Sequence, residues 1–555
     1  MQNTKTIAVS IEPDRKVECL INTPVKMLLP APFDANGRQY LGAVVNNAVV
    51  TLEFLLEVDS DVRFLTLGDP AGWRIYRSTA SFLLGKAVKD LFPDARFSVE
   101  HSLGTGFYCW FGQNGQEGIS PDDVARIETH MKKLVSREVP IERRKVSFAD
   151  AVKAFEDQGQ TDKVNLLRFR NPPKVVVYTC EDFVDLSHGP LAGSAGALTH
   201  FQLIPHETGF VIQFPDRGTP PRVPPLRPQP HLFKIYQEHK KWGRTLGVTN
   251  VGRLNELIAS NEIGDFIKIA EAFHEKKIAQ IADIVTAKRP KLLLIAGPSS
   301  SGKTTFAKRL GVQLRVNGIQ LVTISVDNYF VNRDRTPKDE KGENDYEHIE
   351  AIDLALFNEH LKKLDSGEEV DVPTFDFHEG RQVFKGNKLR LGPNQMLILE
   401  GIHCLNPRLT EVIQPEHKFK VYISALTQLN LDSNNRISTT DNRLVRRMVR
   451  DHQFRGHSAL VTMNMWQSVR RGEKTWIFPF QKEADIAFNS ALDYELAILK
   501  PLVEPLLAEV KPYHPQYGEA RRMQEFLKSF LVAPVDLVPP TSILREFVGK
   551  SSFRY

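Results

Sequence analysis

The stretch LLLIAGPSSSGKTTFAKRL, residues 292–310, runs from five consecutive apolar positions into a glycine-bounded loop and out into helix-forming sequence. Gly297, Gly302, Lys303 and Thr304 fit the spacing GxxxxGK[ST], and they stand where that spacing has a mechanism, after a strand and before a helix opening near Lys303. Glycines let backbone N–H groups turn inward around phosphate oxygens, and the helix start adds positive potential. The whole run Gly297, Pro298, Ser299, Ser300, Ser301, Gly302, Lys303, Thr304 and Thr305 is therefore the expected phosphate cradle. Within it Lys303 reaches the outer phosphates and the Thr304 hydroxyl ligates Mg²⁺.

Two further apolar runs end in acids. LVTISV leads into DNYF, which sets Asp327 and Tyr329 at the carboxyl edge of a sheet, where open α/β folds bind ligands. An acid there can accept the proton of an attacking hydroxyl or hold a metal through water, and the motif leaves both open. NQMLILEGIHCLN places Glu400 before a glycine, a position that can complete a Mg²⁺ shell together with Thr304. Between them DVPTFDFHEGRQ sets Asp376 and Arg381 beside Phe375 and Phe377, offering either a stacking surface with hydrogen-bonding groups or simple core packing. DNRLVRRMVRDHQFRGHS spaces Arg443, Arg446, Arg447 and Arg450 along one helix face, with Arg455 beyond, a charge that can cover transferring phosphates.

The rest of the chain bounds the reading. At 555 residues it exceeds one hydrophobic core, and with 25% charged and 41% hydrophobic residues it is of ordinary globular composition. A net charge of +5 over that length does not by itself mark a nucleic-acid binder. Cys19, Cys109, Cys180 and Cys404 form no CxxC pair and read as reduced thiols. No apolar leader or membrane-length run is seen, so the expectation is a cytoplasmic protein with no membrane partner.

Punctuation divides the chain. Residues 1–68 read as a small β-rich module and 69–213 as an α+β domain, whose basic stretch KKLVSREVPIERRK is expected to be a solvated helix and turn. Seven prolines within 214–233 suggest a stiff linker. A helical connector over 234–287 then leads into alternating strands and helices over 288–500, the pattern of a mainly parallel sheet, with a helical extension over 501–555.

Taken in order, GPSSSGKTT, SVDNYF, DYEHIEAID, VPTFDF, LILEGI, DNRLVRRMVRD and ADIAFNS resemble the uridine kinase and phosphoribulokinase group of P-loop kinases over roughly residues 288–500. The resemblance implies ATP and Mg²⁺ as cofactors and transfer of the γ-phosphate to a sugar hydroxyl. It sets Lys303, Asp327, Arg443, Arg446 and Arg450 as catalytic, with Asp327 at the position of the general base, and makes the segment from Arg443 to Arg455 a lid. The acceptor would lie among Asp327, Tyr329, Glu347, Phe375, Asp376, Arg381 and Arg455. This chain departs from uridine kinases there: Phe375 replaces a tyrosine, Gly380 stands where a histidine is expected with His378 two positions early, and Glu347 replaces an aspartate. The expectation is a nucleoside kinase, with a kinase for another sugar or sugar phosphate as the alternative.

The front of the chain resembles the TGS module and the adjoining editing-type domain of threonyl-tRNA synthetase, through RSTASFLLGKAVKDLFPDA, GTGFYCWF and EDFVDLSHGPL. The synthetase's two histidines, cysteine and further histidine are replaced by Arg77, Ser81, Ser187 and Leu191, so editing chemistry is expected to be lost, and His188 reads as a turn residue. A binding or regulatory front half follows, with RNA contact and a nucleotide-gated RNA-binding regulator as the reading from another class. The whole order of segments, closing on PPTSILREFVG, is similar to a family of long uridine-kinase-like proteins.

Overall fold

The computed structural model describes residues 5–227, 229–340, 342–376, 379–392 and 394–554, so the roles suggested for Phe377 and His378 lie outside the described residues. The phosphate-loop region is built on five parallel strands in the order Gln320–Ser325, Gln395–Glu400, Leu292–Ala296, Lys418–Ser424 and Ile486–Asn489. Leu292–Ala296 is central and all five of its residues are buried, which explains why it reads as a continuous apolar run rather than an alternating one. Every strand runs the same way, so the ends that carry Asp327 and Glu400 and the start of the loop gather at one edge.

The front of the chain holds a five-stranded sheet ordered Arg15–Leu20, Thr6–Ile11, Ser60–Thr66, Tyr40–Val45, Ala48–Val50. Ile7, Val9 and Ile11 alternate inward onto Val25, Leu56 and Val62, the period-two pattern that the sequence displays. Behind it lies a long helix, Pro70–Leu91, and a second sheet whose hairpin Arg96–Leu103 and Gly106–Gln113 turns at Gly104 with φ of +59°.

Three features differ from the sequence reading. The basic stretch ends in a strand: Glu142–Ser147 pairs along Lys174–Cys180, because pairing with a β-branched partner strand overrides the helix preference of ERRK. The proline-rich segment is fastened down, since the Trp73 indole donates to the Pro215 carbonyl at 3.0 Å and Gln213 to Pro224 at 3.1 Å. A boundary at 500 falls inside the helix Glu495–Ala508, which carries Pro501 and Pro505 through its middle. Pro501 cannot donate to the Ala497 carbonyl four residues back, and the N–H of Ala533 takes that acceptor instead at 3.2 Å.

The two halves also share a core. Phe155, Leu166, Val175 and Val177 of the front half belong to the same buried cluster as Leu293, Phe306, Val421 and Leu499. A loop between the strand Lys418–Ser424 and the helix Thr439–Arg455 makes the polar part of the junction. The Val99 N–H donates to Ser433 at 2.8 Å, Asn430 donates to Val99 at 3.0 Å, and Arg436 donates to the Glu100 carbonyl at 2.9 Å. Beneath them Lys163, about 2% exposed, lies 3.0 Å from Asp185 and 3.7 Å from Asp432.

Candidate functional site

The phosphate loop takes its shape from two residues in left-handed conformation, Ser300 at φ +57° and Gly302 at φ +80°. Gly297 is required for another reason: a Cβ there would lie 2.2 Å from the Ile423 carbonyl oxygen of the neighbouring strand. Lys303 opens the helix Lys303–Val316 and bends back to donate to the Pro298 carbonyl at 3.3 Å, a position over the loop. The Ser300 and Ser301 hydroxyls are buried without a hydrogen-bond partner among the described residues.

Two acids face this loop from the strand ends. Glu400 accepts from the Thr304 hydroxyl at 3.3 Å. Burial raises its carboxyl to about 7, Asp327 and Glu546 add to the rise, and Lys303 opposes it. Asp327 is likewise pushed up by burial, while the positive charges of Lys303, Arg455 and Arg450 pull it back. Thr304 and Glu400 thus offer two of the six oxygens that Mg²⁺ would take, an ion that keeps waters and takes phosphate oxygens for the remainder. Among the described residues no group of three His, Cys, Asp or Glu forms a protein-only metal site.

Tyr329 does not belong with Asp327. The two share one turn of 3-10 helix, Val326–Tyr329, in which positions three apart eclipse. Val326 and Tyr329 therefore point together into the core, where the tyrosine hydroxyl meets His360 at 3.0 Å. Arg381 is also turned away: it is 62% exposed and pairs with its neighbour Glu379. Phe375 is buried against Phe330 at 5.6 Å between ring centres, and Asp376 accepts from the Glu379 N–H at 3.1 Å, closing the hairpin turn. Gly380 has a local cause, since its φ is +68° and a Cβ would meet the Arg333 side chain at 2.6 Å, so the histidine of the resembling family would be strained there and would push Arg333 aside.

The arginine helix Thr439–Arg455 is more tied down than a lid needs to be. Arg443 pairs with buried Glu473, and Arg446, wholly buried, pairs with Glu495 and donates to the Ser490 carbonyl at 2.8 Å. Both then reach the loop: Arg443 donates to the Ser299 carbonyl at 2.9 Å and Arg446 to the Ser300 carbonyl at 3.5 Å, while Arg447 donates to the Ser299 hydroxyl at 2.8 Å. Arg443 and Arg446 thus brace the loop's backbone rather than cover its mouth. Arg450 and Arg455 remain at the margin, gathered on Asp451 at 2.9 and 3.4 Å and close enough to act on Asp327. Sequence reading missed the carboxylates Glu473, Glu495 and Glu546, which lie far from the motifs; only Asp451, one turn along the arginine helix, was within reach of spacing.

Glu347 reaches the same centre, with its Oε2 buried and unpartnered among the described residues. Burial, then Glu473, raises its carboxyl to about 7. The folded protein therefore holds a proton there that the unfolded chain has released, and stability falls as pH rises from about 4.5 to 7 and levels above. Glu347→Gln is expected to flatten the fall in thermal midpoint between pH 5 and pH 8, measured by circular dichroism.

Residues 292–497 match the model of the Phosphoribulokinase / Uridine kinase family. That segment is a P-loop kinase domain of this family. Outside it, the N-terminal region aligns with threonine-tRNA ligases. The ligase of Syntrophotalea carbinolica is 36% identical over 168 residues, covering 30% of this chain and 26% of the ligase. That of Desulforamulus reducens is 27% identical over 260 residues, covering 44% and 40%. The chain thus spans a quarter to two fifths of the length of these relatives. Among solved structures, one titled a possible uridine kinase from Bacillus stearothermophilus superposes with a TM-score of 0.26 at 19% identity, covering 38% of this chain and 97% of that one.

In the front half the four substituted positions have separate surroundings. Arg77 stacks on Trp73 at 3.8 Å, Ser81 is buried without a partner among the described residues, Ser187 donates to the Gly189 carbonyl at 2.8 Å, and Leu191 is core. His188 faces Asp432 of the kinase domain at 3.8 Å. Asn434 bonds Asp185, so loop 430–436 of the kinase domain is packed against this face of the front half. No described helix is long and apolar enough to cross a membrane.

Proposed function

We propose that this protein is an ATP- and Mg²⁺-dependent phosphotransferase whose acceptor is a hydroxyl of a nucleoside or related sugar. The observation that supports this most is the meeting of Lys303, the Thr304 and Glu400 pair and Asp327 at one edge of a parallel sheet. Thr304 and Glu400 would hold the metal, which supplies charge neutralisation on the phosphates when bound. Lys303 orients the outer phosphates, and Asp327, kept close to positive charge yet raised by burial, takes the acceptor's proton. Arg450 and Arg455 stand beside that proton path and steady the developing negative charge.

The acceptor side supports a small polyol more than a fixed pyrimidine reader, because Tyr329 and Arg381 are turned elsewhere and a side chain in place of Gly380 would be strained. Purified protein incubated with ATP, Mg²⁺ and a panel of nucleosides, pentoses and pentose phosphates is expected to phosphorylate at least one nucleoside or free sugar. Product from a sugar phosphate alone would move the assignment to the alternative, and no product from any member would sink it.

A second reading is a nucleotide-gated RNA-binding regulator. It is favoured by the alignment of the front half with threonine-tRNA ligases and by the exposed basic strand bearing Arg143, Arg144 and Lys145. Salt-dependent binding of tRNA supports it, and absence of binding at low salt counts against it.

A further inference from the structure

Near the carboxyl end of the chain, Glu546 lies beside the phosphate loop. Its Oε2 accepts from the Thr305 N–H at 3.2 Å and from the Thr305 hydroxyl at 2.7 Å. Thr305 stands in the first turn of the helix that follows the glycine loop, where a nucleotide phosphate would find its amide donors. The contact is built rather than incidental. Ile543, Leu544 and Phe547 are fully buried in the core, the Ile543 side chain fills the space that a Cβ on Gly302 would need, and the Arg446 guanidinium lies 5.0 Å over the Phe547 ring. Arg545 staples the approach by donating to the Val535 carbonyl at 3.2 Å and to Val538.

The other end of the loop is closed in the same manner. Glu473 accepts from the Ser299 N–H at 3.1 Å, but its charge is answered by Arg443. Glu546 forms no ion pair among the described residues and is held by the Thr305 donors. A carboxylate is a fair substitute for one edge of a phosphate: two acceptor oxygens and a negative charge held by helix-start donors.

We infer that Glu546 is an internal competitor for the nucleotide, occupying the Thr305 donors until a phosphate displaces it, so that the C-terminal segment sets the ATP threshold of the kinase domain. The backbone of the segment is anchored in the core, so displacement needs only a swing of the half-buried glutamate side chain. This rests on the nucleotide-binding part of the proposed function and not on the identity of the acceptor.

The test is the dissociation constant of ATP with Mg²⁺, measured by calorimetry without any acceptor, for the wild-type chain, Glu546→Ala and Glu546→Gln. Removing a charge-assisted competitor should tighten ATP by roughly ten-fold or more in Glu546→Ala. A smaller gain is expected in Glu546→Gln, which keeps an acceptor oxygen but loses the charge. Unchanged or weaker binding in both variants overturns the inference and makes Glu546 a brace of the loop. Failure of all three proteins to bind ATP also overturns it. If Glu546→Ala does not fold, Glu546→Gln decides. A wild-type chain that binds ATP yet phosphorylates no acceptor leaves the competitor standing while removing the kinase reading.

Discussion

Asp327→Asn is expected to lower turnover by roughly 10²–10⁴-fold, the range for loss of a positioned general base, with ATP affinity close to that of the wild type. The asparagine keeps the shape of the turn Val326–Tyr329 and its surroundings, and it removes only the group that can accept a proton. Lys303→Ala should behave differently. It removes the ammonium that lies over the loop near the Pro298 carbonyl, so turnover and ATP affinity fall together, the latter by about ten-fold or more for a lost charge-assisted contact. Single-turnover kinetics with separately measured ATP binding distinguish the two. Equal turnover in Asp327→Asn and the wild type would take the base role from that residue.

The largest effect on stability is expected at Lys163. Its ammonium is almost fully buried between Asp185 and Asp432, one from each half of the chain. Lys163→Met fills much the same volume but strands two buried carboxylates, and breaking a buried pair in this way costs about 3–5 kcal/mol. One carboxylate can relax by taking up a proton, so the loss should be smaller at pH 5 than at pH 8. Thermal unfolding at the two values, followed by circular dichroism, checks both the size and the trend. A midpoint unchanged at pH 8 would show that the junction does not depend on this ion pair.

What the sequence made legible and what it hid divide along a physical line. The loop, Asp327 and Glu400 were readable because each requires a fixed short spacing at the end of an apolar strand, and the parallel sheet then brings them together without further instruction. Tyr329 was misplaced because a single turn of 3-10 helix changes the phase of the side chains directly after the strand. The partners of the arginines were hidden for another reason: Glu473 and Glu495 lie 30 and 49 residues from Arg443 and Arg446, and no local period connects them. Glu546 is further still from Thr305, 241 residues along the chain, and only packing discloses it. Pro501 shows the converse, a strong local signal overruled where Ala533 supplies the donor that the Ala497 carbonyl would lack.

The loop between the strand Lys418–Ser424 and the helix Thr439–Arg455 has a bearing on modularity. Asn430, Ser433, Asn434 and Arg436 are gripped by the front half, and the helix that follows them within a few residues braces the phosphate loop. A kinase domain transplanted without this front half would expose a polar hook with nothing to hold, and a front half joined to another enzyme would keep Asp185 and Lys163 without their third member. The two parts are therefore not interchangeable building blocks, because each completes hydrogen bonds and buried charge in the other.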